Sequence, residues 1–158
     1  MFLEDLLHVL RAFEEQELEY VLIGAAAMNL HGILRATEDA DVFIRGTEDN
    51  VERLKRALRS AYDDPSIDEI SSEDLLGDYP SVRYLPPDTE FFLDILVRLG
   101  EFARYEDLEW REVEFEGVRV RLATPETLHW LKKGTVRPQD RVDAEAIRWK
   151  FDLPPTND

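Results

Sequence analysis

The sequence contains no cysteine. Disulfide cross-links and thiolate metal sites are therefore excluded, and any metal must be held by oxygen or imidazole nitrogen. It also contains no run of 18 or more apolar residues, which argues against a membrane-spanning helix. Basic residues are scarce, with 19 Lys and Arg against 35 Asp and Glu, a formal net charge of −16. Such a surface repels nucleic acid unless a local basic face or a bound metal offsets it, so nonspecific DNA binding is not expected. The N-terminal segment MFLEDLLHVLRAFEE has neither the basic start nor the small-residue cleavage site of a signal peptide, and the expected location is the cytoplasm.

The 44% hydrophobic content of 158 residues suffices for one substantial core, and the expectation is a single α/β domain over residues 1–158. Phe2, Leu6, Leu7, Val9, Leu10 and Phe13 recur at helical spacing and predict a helix over 2–16. Tyr20 to Ile23 reads as a buried strand ending at a glycine turn, followed by a helix over 25–30 that Gly32 stops. Asp39 to Arg45 reads as a second strand. Thr47 then caps a helix whose first turn holds Glu48 and Asp49 and which continues through Val51 to Tyr62. Residues 63–80 carry weak structural signals. Ser81 to Leu85 and the apolar run Glu90 to Leu99 read as strands, the latter central. Arg111–Phe115 and Val118–Leu122 form a hairpin about Glu116-Gly117. Helices are expected over 125–133, capped by Thr124, and 138–150, with a frayed tail over 151–158.

Chemistry concentrates at three acids. In a strand, residues i and i+2 share a face, so Asp39 and Asp41 stand side by side, and such a pair is stable only with a cation nearby or open water around it. Asp94 lies within Phe91-Phe92-Leu93-Asp94-Ile95-Leu96-Val97, where an ionised carboxylate costs several kcal/mol or more unless it is paired or metal-bound. Two partners are open to it. One is an arginine, with Arg83, Arg98 and Arg119 available. The other is a magnesium ion, a hard cation that takes carboxylate and phosphate oxygens, gripped jointly with Asp39 and Asp41. Gly24, at a strand-to-helix turn, would let a phosphate approach the backbone and the first N–H groups of the following helix.

The segments Leu22-Ile23-Gly24-Ala25-Ala26-Ala27, His31-Gly32, Arg35-Ala36-Thr37 and Asp39-Ala40-Asp41-Val42-Phe43-Ile44, with Leu93-Asp94-Ile95-Leu96 further on, resemble the signature of the DNA polymerase β-like nucleotidyltransferases. Thr124-Pro125-Glu126, Leu128, Lys132, Arg137-Pro138-Gln139-Asp140, Asp143 and Ile147 resemble the C-terminal pattern of the AbiEii and minimal nucleotidyltransferase group. The resemblance implies a mixed central sheet flanked by helices, with further helices at the C-terminus. It also implies transfer of a nucleoside monophosphate from a nucleoside triphosphate to a hydroxyl. Gly24 and Ala25 would hold the triphosphate, with Arg35, Thr37 and Lys132 bordering it. Asp39, Asp41 and Asp94 would bind magnesium, or manganese in its place, and Asp94 would activate the attacking hydroxyl. Asp140 and Asp143 match a motif of less defined role. The acceptor, whether small molecule, protein or tRNA, is left open, and the group's toxin–antitoxin members imply a toxin or antitoxin as partner. Ala25 departs from the pattern, since Gly or Ser is usual there and a hydroxyl contact to phosphate is lost.

His31 and His129 read chiefly as packing residues. Trp110, Trp130 and Trp149 read as core or interface aromatics. Lys132, Lys133 and Arg137 form a local basic spot that either faces an anionic substrate or complements a helix end.

Overall fold

The computed structural model describes residues 2–132 and 138–154. Six strands make one mixed sheet. In chain order they are β1 (Tyr20–Ile23), β2 (Asp39–Ile44), β3 (Ser81–Tyr84), β4 (Phe92–Leu96), β7 (Trp110–Phe115) and β8 (Val118–Ala123), and their order across the sheet is β3-β4-β2-β1-β8-β7. The pairs β2–β4 and β1–β8 are parallel, while β1–β2, β3–β4 and β7–β8 are antiparallel. A separate two-stranded ribbon joins β5 (Arg98–Leu99) to β6 (Ala103–Arg104). The helices are α1 (Phe2–Glu15), α2 (Gly24–Leu30), α3 (Glu48–Ala61), α4 (Ser72–Leu76), α5 (Pro125–Lys132) and α6 (Pro138–Phe151).

Alternation builds the core. Ala40 and Val42 of β2 lie beside Leu93 and Ile95 of β4, and all four are fully buried. The apolar stripe of α1, from Leu6 to Phe13, joins the same cluster, and α1 packs on α3 and β8. The helix ends follow their caps: the Thr47 hydroxyl accepts from the Asn50 N–H, and Thr124 Oγ1 accepts from the Thr127 N–H. Among the described residues no helix is long and apolar enough to cross a membrane.

Several expectations are corrected. The apolar run 90–99 is split: β4 spans only Phe92–Leu96, and Arg98–Leu99 leaves the main sheet to pair with Ala103–Arg104. Residues 63–80 hold a 3-10 turn over Pro65–Glu69 and the short α4, capped by the Asp64 carboxylate and the Ser71 hydroxyl. Phe151 ends α6 rather than fraying, and both Phe151 and Leu153 pack on the core, because two apolar side chains gain by leaving water. Residues 155–158, Lys133 and Arg137 lie outside the described residues.

Candidate active site

The acids owe their meeting to strand register. In the parallel β2–β4 pair, Asp41 stands directly beside Asp94, and Asp39 beside Phe92. The antiparallel neighbours extend the row: Ile23 of β1 lies beside Asp41, and Arg83 of β3 lies beside Asp94. Paired positions of adjacent strands share a face. One line across four strands therefore reads Ile23, Asp41, Asp94, Arg83, with Asp39 two residues along β2 on the same side.

Two like charges side by side must be compensated. Asp41 and Asp94 meet through a side-chain hydrogen bond, and the Asp41 carboxyl is pushed up from 3.8 to about 6 by burial first, then by the charge of Asp94 and by Asp39, with Lys132 opposing. Asp94 is answered by Arg83, which donates from Nε to Oδ1 at 2.8 Å and from Nη2 to Oδ2 at 3.1 Å. The same Nη2 lies 3.5 Å from Asp39 Oδ2. Of the three arginines open to Asp94 in the sequence, Arg83 is the one it meets. Arg98 donates to the Gly77 carbonyl, and Arg119 faces Glu14.

Gly24 closes the site from below. Its φ is +71°, a region costly for any residue with a Cβ, and a Cβ built there would overlap Oδ2 of Asp41. The glycine thus lets the backbone pass directly against a carboxylate. Thr37 acts locally, its hydroxyl accepting from the Asp39 N–H and bonding the Asp39 carbonyl at 3.0 Å, which fixes the start of β2.

A second cluster borders the first. Asp143 of α6 is almost fully buried and accepts from Lys132 Nζ at 3.0 Å, from Arg35 Nε at 3.1 Å and from Gln139 Nε2 at 2.9 Å. Burial alone would push its carboxyl up, but the bonds from Gln139, Lys132 and Arg35 outweigh that and hold it below the ordinary carboxylate value. Lys132 also reaches Asp140 Oδ1 at 3.1 Å. Two cations are thereby fixed in place beside the acids.

A cleft of about 440 Å³ unites these parts, lined by Ala25, Arg35, Thr37, Glu38, Asp39, Asp41, Arg83, Asp94, Lys132 and Asp140. Every expected site residue lies in its wall except Gly24, which sits against Asp41. Glu38 was not singled out in the sequence, although its place directly before Asp39 was a usable signal. A second cavity, of about 490 Å³, meets the first at Glu38 but is lined only by acidic, aromatic and neutral residues such as Phe2, Asp5 and Phe91. Of these two cavities only the first combines carboxylates with cations.

His31 sits apart from this chemistry. Its Nε2 bonds the Ala123 carbonyl at 2.7 Å and its ring packs edge-on against Phe151. His129 is buried on α5. Trp130 stacks on Phe102, whereas Trp149 is 74% exposed beneath Arg148 and belongs to no core.

Magnesium is implied by the family resemblance, and the trio can be tested against it. Among the described residues no three acidic or histidine side chains already surround a common point as a finished cage, and Arg83 takes both oxygens of Asp94. The residues nonetheless fit a divalent cation. The donors are hard carboxylate oxygens, and a cationic group already draws Asp39 and Asp94 together.

A mixed sheet carrying Asp-x-Asp on one strand and a third acid on its parallel neighbour, next to a glycine turn, is the arrangement of a nucleotidyltransferase fold. Solved structures agree. TM1012, a candidate nucleotidyltransferase from Thermotoga maritima, is similar with a TM-score of 0.55 at 16% identity, over 97% of this chain and 94% of that one. ANT(2'')-Ia in complex with adenylyl-2''-tobramycin is similar with a TM-score of 0.53 at 14% identity, over 90% and 85%. The solution structure of the antibiotic-resistance factor ANT(2'')-Ia is similar with a TM-score of 0.56 at 14% identity, over 96% and 86%. No curated protein matches the sequence. The model of the family described as nucleotidyl transferase AbiEii toxin, type IV toxin–antitoxin system, matches residues 6–142, and the chain belongs to that family.

Proposed function

We propose that the protein is a magnesium-dependent nucleotidyltransferase that moves a nucleoside monophosphate from a nucleoside triphosphate to a hydroxyl acceptor. The observation that carries this reading is the row in which Asp41 and Asp94 stand side by side with Asp39 on the same face, against the Gly24 turn. Divalent ions held there would neutralise the triphosphate and the leaving pyrophosphate. Asp39, Asp41 and Asp94 would hold the cation, and Asp94 would also take up the proton of the acceptor hydroxyl. The acceptor oxygen forms a bond to the α-phosphorus as the bond to the β-phosphate oxygen breaks. The Gly24-Ala25 turn receives the triphosphate, with Arg35 and Lys132 held by Asp143 at its side. These cations, with Arg83, supply the local positive field that the acidic surface lacks.

The test is incubation with magnesium, each labelled nucleoside triphosphate and acceptor pools of small molecules, protein and tRNA. Label transfer by the wild type should fall by roughly 100-fold or more in Asp39→Ala, since several kcal/mol of charge stabilisation is removed. Transfer that persists unchanged in Asp39→Ala rules the assignment out. The family's toxin–antitoxin description supports a companion assay, growth arrest on expression in a bacterial host, abolished by the same substitution.

Ala25 favours a second reading. It lines the cleft without a side-chain donor, and a module that binds nucleotide, or a partner protein, but transfers nothing would need no more. Such a protein would be stabilised by magnesium and nucleotide yet leave every labelled acceptor pool blank.

A further inference from the structure

We propose that Arg83 is a built-in counter-cation of the acid trio, competing with the first divalent ion for Asp94 and Asp39, so that loading the site requires its guanidinium to swing away. The inference rests on the reading of Asp39, Asp41 and Asp94 as metal ligands and names a control on that site.

The geometry is one of occupancy. Register places Arg83 beside Asp94, and its fork takes both oxygens of that carboxylate at 2.8 and 3.1 Å while also standing 3.5 Å from Asp39. A divalent ion bridging Asp94 and Asp39 would sit within a few ångströms of the guanidinium, and two such cations repel strongly in a partly buried cleft. Bidentate pairing takes one lone-pair direction on each oxygen of Asp94, the directions a chelating metal would use. One of the two must yield.

Arg83 is built to be the one that yields. It lies on β3, the edge strand, and its side chain is 57% exposed, against 16% for Lys132, which is fixed between Asp140 and Asp143. Its guanidinium also rests 5.0 Å from the centre of the Phe92 ring, an attraction that does not depend on the charge of Asp94. Arg83 stands in the wall of the cleft, so a guanidinium released from Asp94 would be within the site that a nucleotide's phosphates would enter. In the empty state the same arginine relieves the repulsion among three neighbouring carboxylates. The site therefore exchanges one cation for another instead of opening a cluster of bare charges.

The experiment is manganese binding to the nucleotide-free protein, followed by electron paramagnetic resonance at neutral pH and low salt. It compares the wild type with Arg83→Gln, Arg83→Lys, Asp39→Asn and the charge-matched control Arg56→Gln, an exposed arginine of α3 outside the cleft. Arg83→Gln should bind manganese about threefold or more tightly than both the wild type and Arg56→Gln, because an exposed-to-partly-buried ion pair no longer has to be broken. Arg83→Lys, which keeps the charge but loses the fork, should fall between. Equal or weaker binding by Arg83→Gln than by the control overturns the proposal and leaves the metal site standing. If Arg83→Gln fails to fold, Arg83→Lys decides: tighter than wild type supports competition, equal or weaker overturns it. Manganese that binds none of these proteins, or binds as well to Asp39→Asn as to the wild type, overturns the metal reading and this inference with it.

Discussion

The α-carbon of Gly24 lies so close to the Asp41 carboxylate that no side chain can stand between them. Gly24→Ala must therefore both adopt a positive φ and displace Asp41. The expected cost is about 1–2 kcal/mol from the backbone alone, with a further loss from the displaced acid. Thermal unfolding with and without manganese and nucleotide checks this: the variant should melt lower and lose the ligand-induced rise.

Ala25→Ser places a hydroxyl in the wall of the cleft at a half-buried position. One added hydrogen bond to phosphate is worth about 1 kcal/mol, or roughly fivefold in affinity. Nucleotide binding measured by calorimetry in the presence of magnesium should tighten by that order. Unchanged affinity would place the triphosphate elsewhere.

The Asp41 carboxyl, held up at about 6 by burial and by Asp94, carries a pH signature. Folded, it keeps its proton to about pH 6; unfolded, it releases it near 3.8. Between these values the folded state binds the extra proton, so this group's contribution to stability falls as pH rises through the window. Asp41→Asn removes that liability. In metal-free buffer above pH 7 it should melt higher than the wild type, and the difference should shrink towards pH 4.

Asp143 behaves oppositely. Its side chain is 2% exposed and it anchors Lys132, Arg35 and Gln139, so Asp143→Ala takes this carboxylate from Arg35 and leaves Lys132 with Asp140, in a partly buried place. The expected loss is roughly 3–5 kcal/mol, measured by denaturant unfolding at pH 7. Because its carboxyl is held below the ordinary value, the stability it contributes is present at neutral pH and is lost as the solution is acidified. Lowering the pH should narrow the gap between variant and wild type.

Much of this arrangement was legible in the chain. The alternation in Asp39-Ala40-Asp41-Val42 showed which acids share a face, and the apolar surroundings of Asp94 showed that it needed a partner. Tyr20–Ile23 followed by Gly24 marked a strand and its turn with the observed bounds. Long-range register was not legible. Nothing local says that Ser81–Tyr84 pairs antiparallel with β4 so as to set Arg83 beside Asp94, and the choice among three arginines depended on that. The break after Leu96 was hidden because Val97 and Leu99 are as apolar as the strand itself, and only the partner at Ala103–Arg104 draws the chain aside. Thr37, expected near phosphate, spends its hydroxyl on the backbone of Asp39, a local bond that competes with any ligand. The short elements of 63–80 did carry cap signals, Asp64 before Pro65 and Ser71 before Asp74, within a stretch otherwise too polar to show a period.

The most direct measurement is anomalous diffraction from a crystal grown with manganese and a non-hydrolysable nucleoside triphosphate. The expected result is a manganese peak between the carboxylates of Asp39, Asp41 and Asp94, with the triphosphate against Gly24 and Ala25 and the Arg83 guanidinium turned away from Asp94. A nucleotide bound with no manganese at these three acids, or manganese coordinated only elsewhere on the acidic surface, would contradict it.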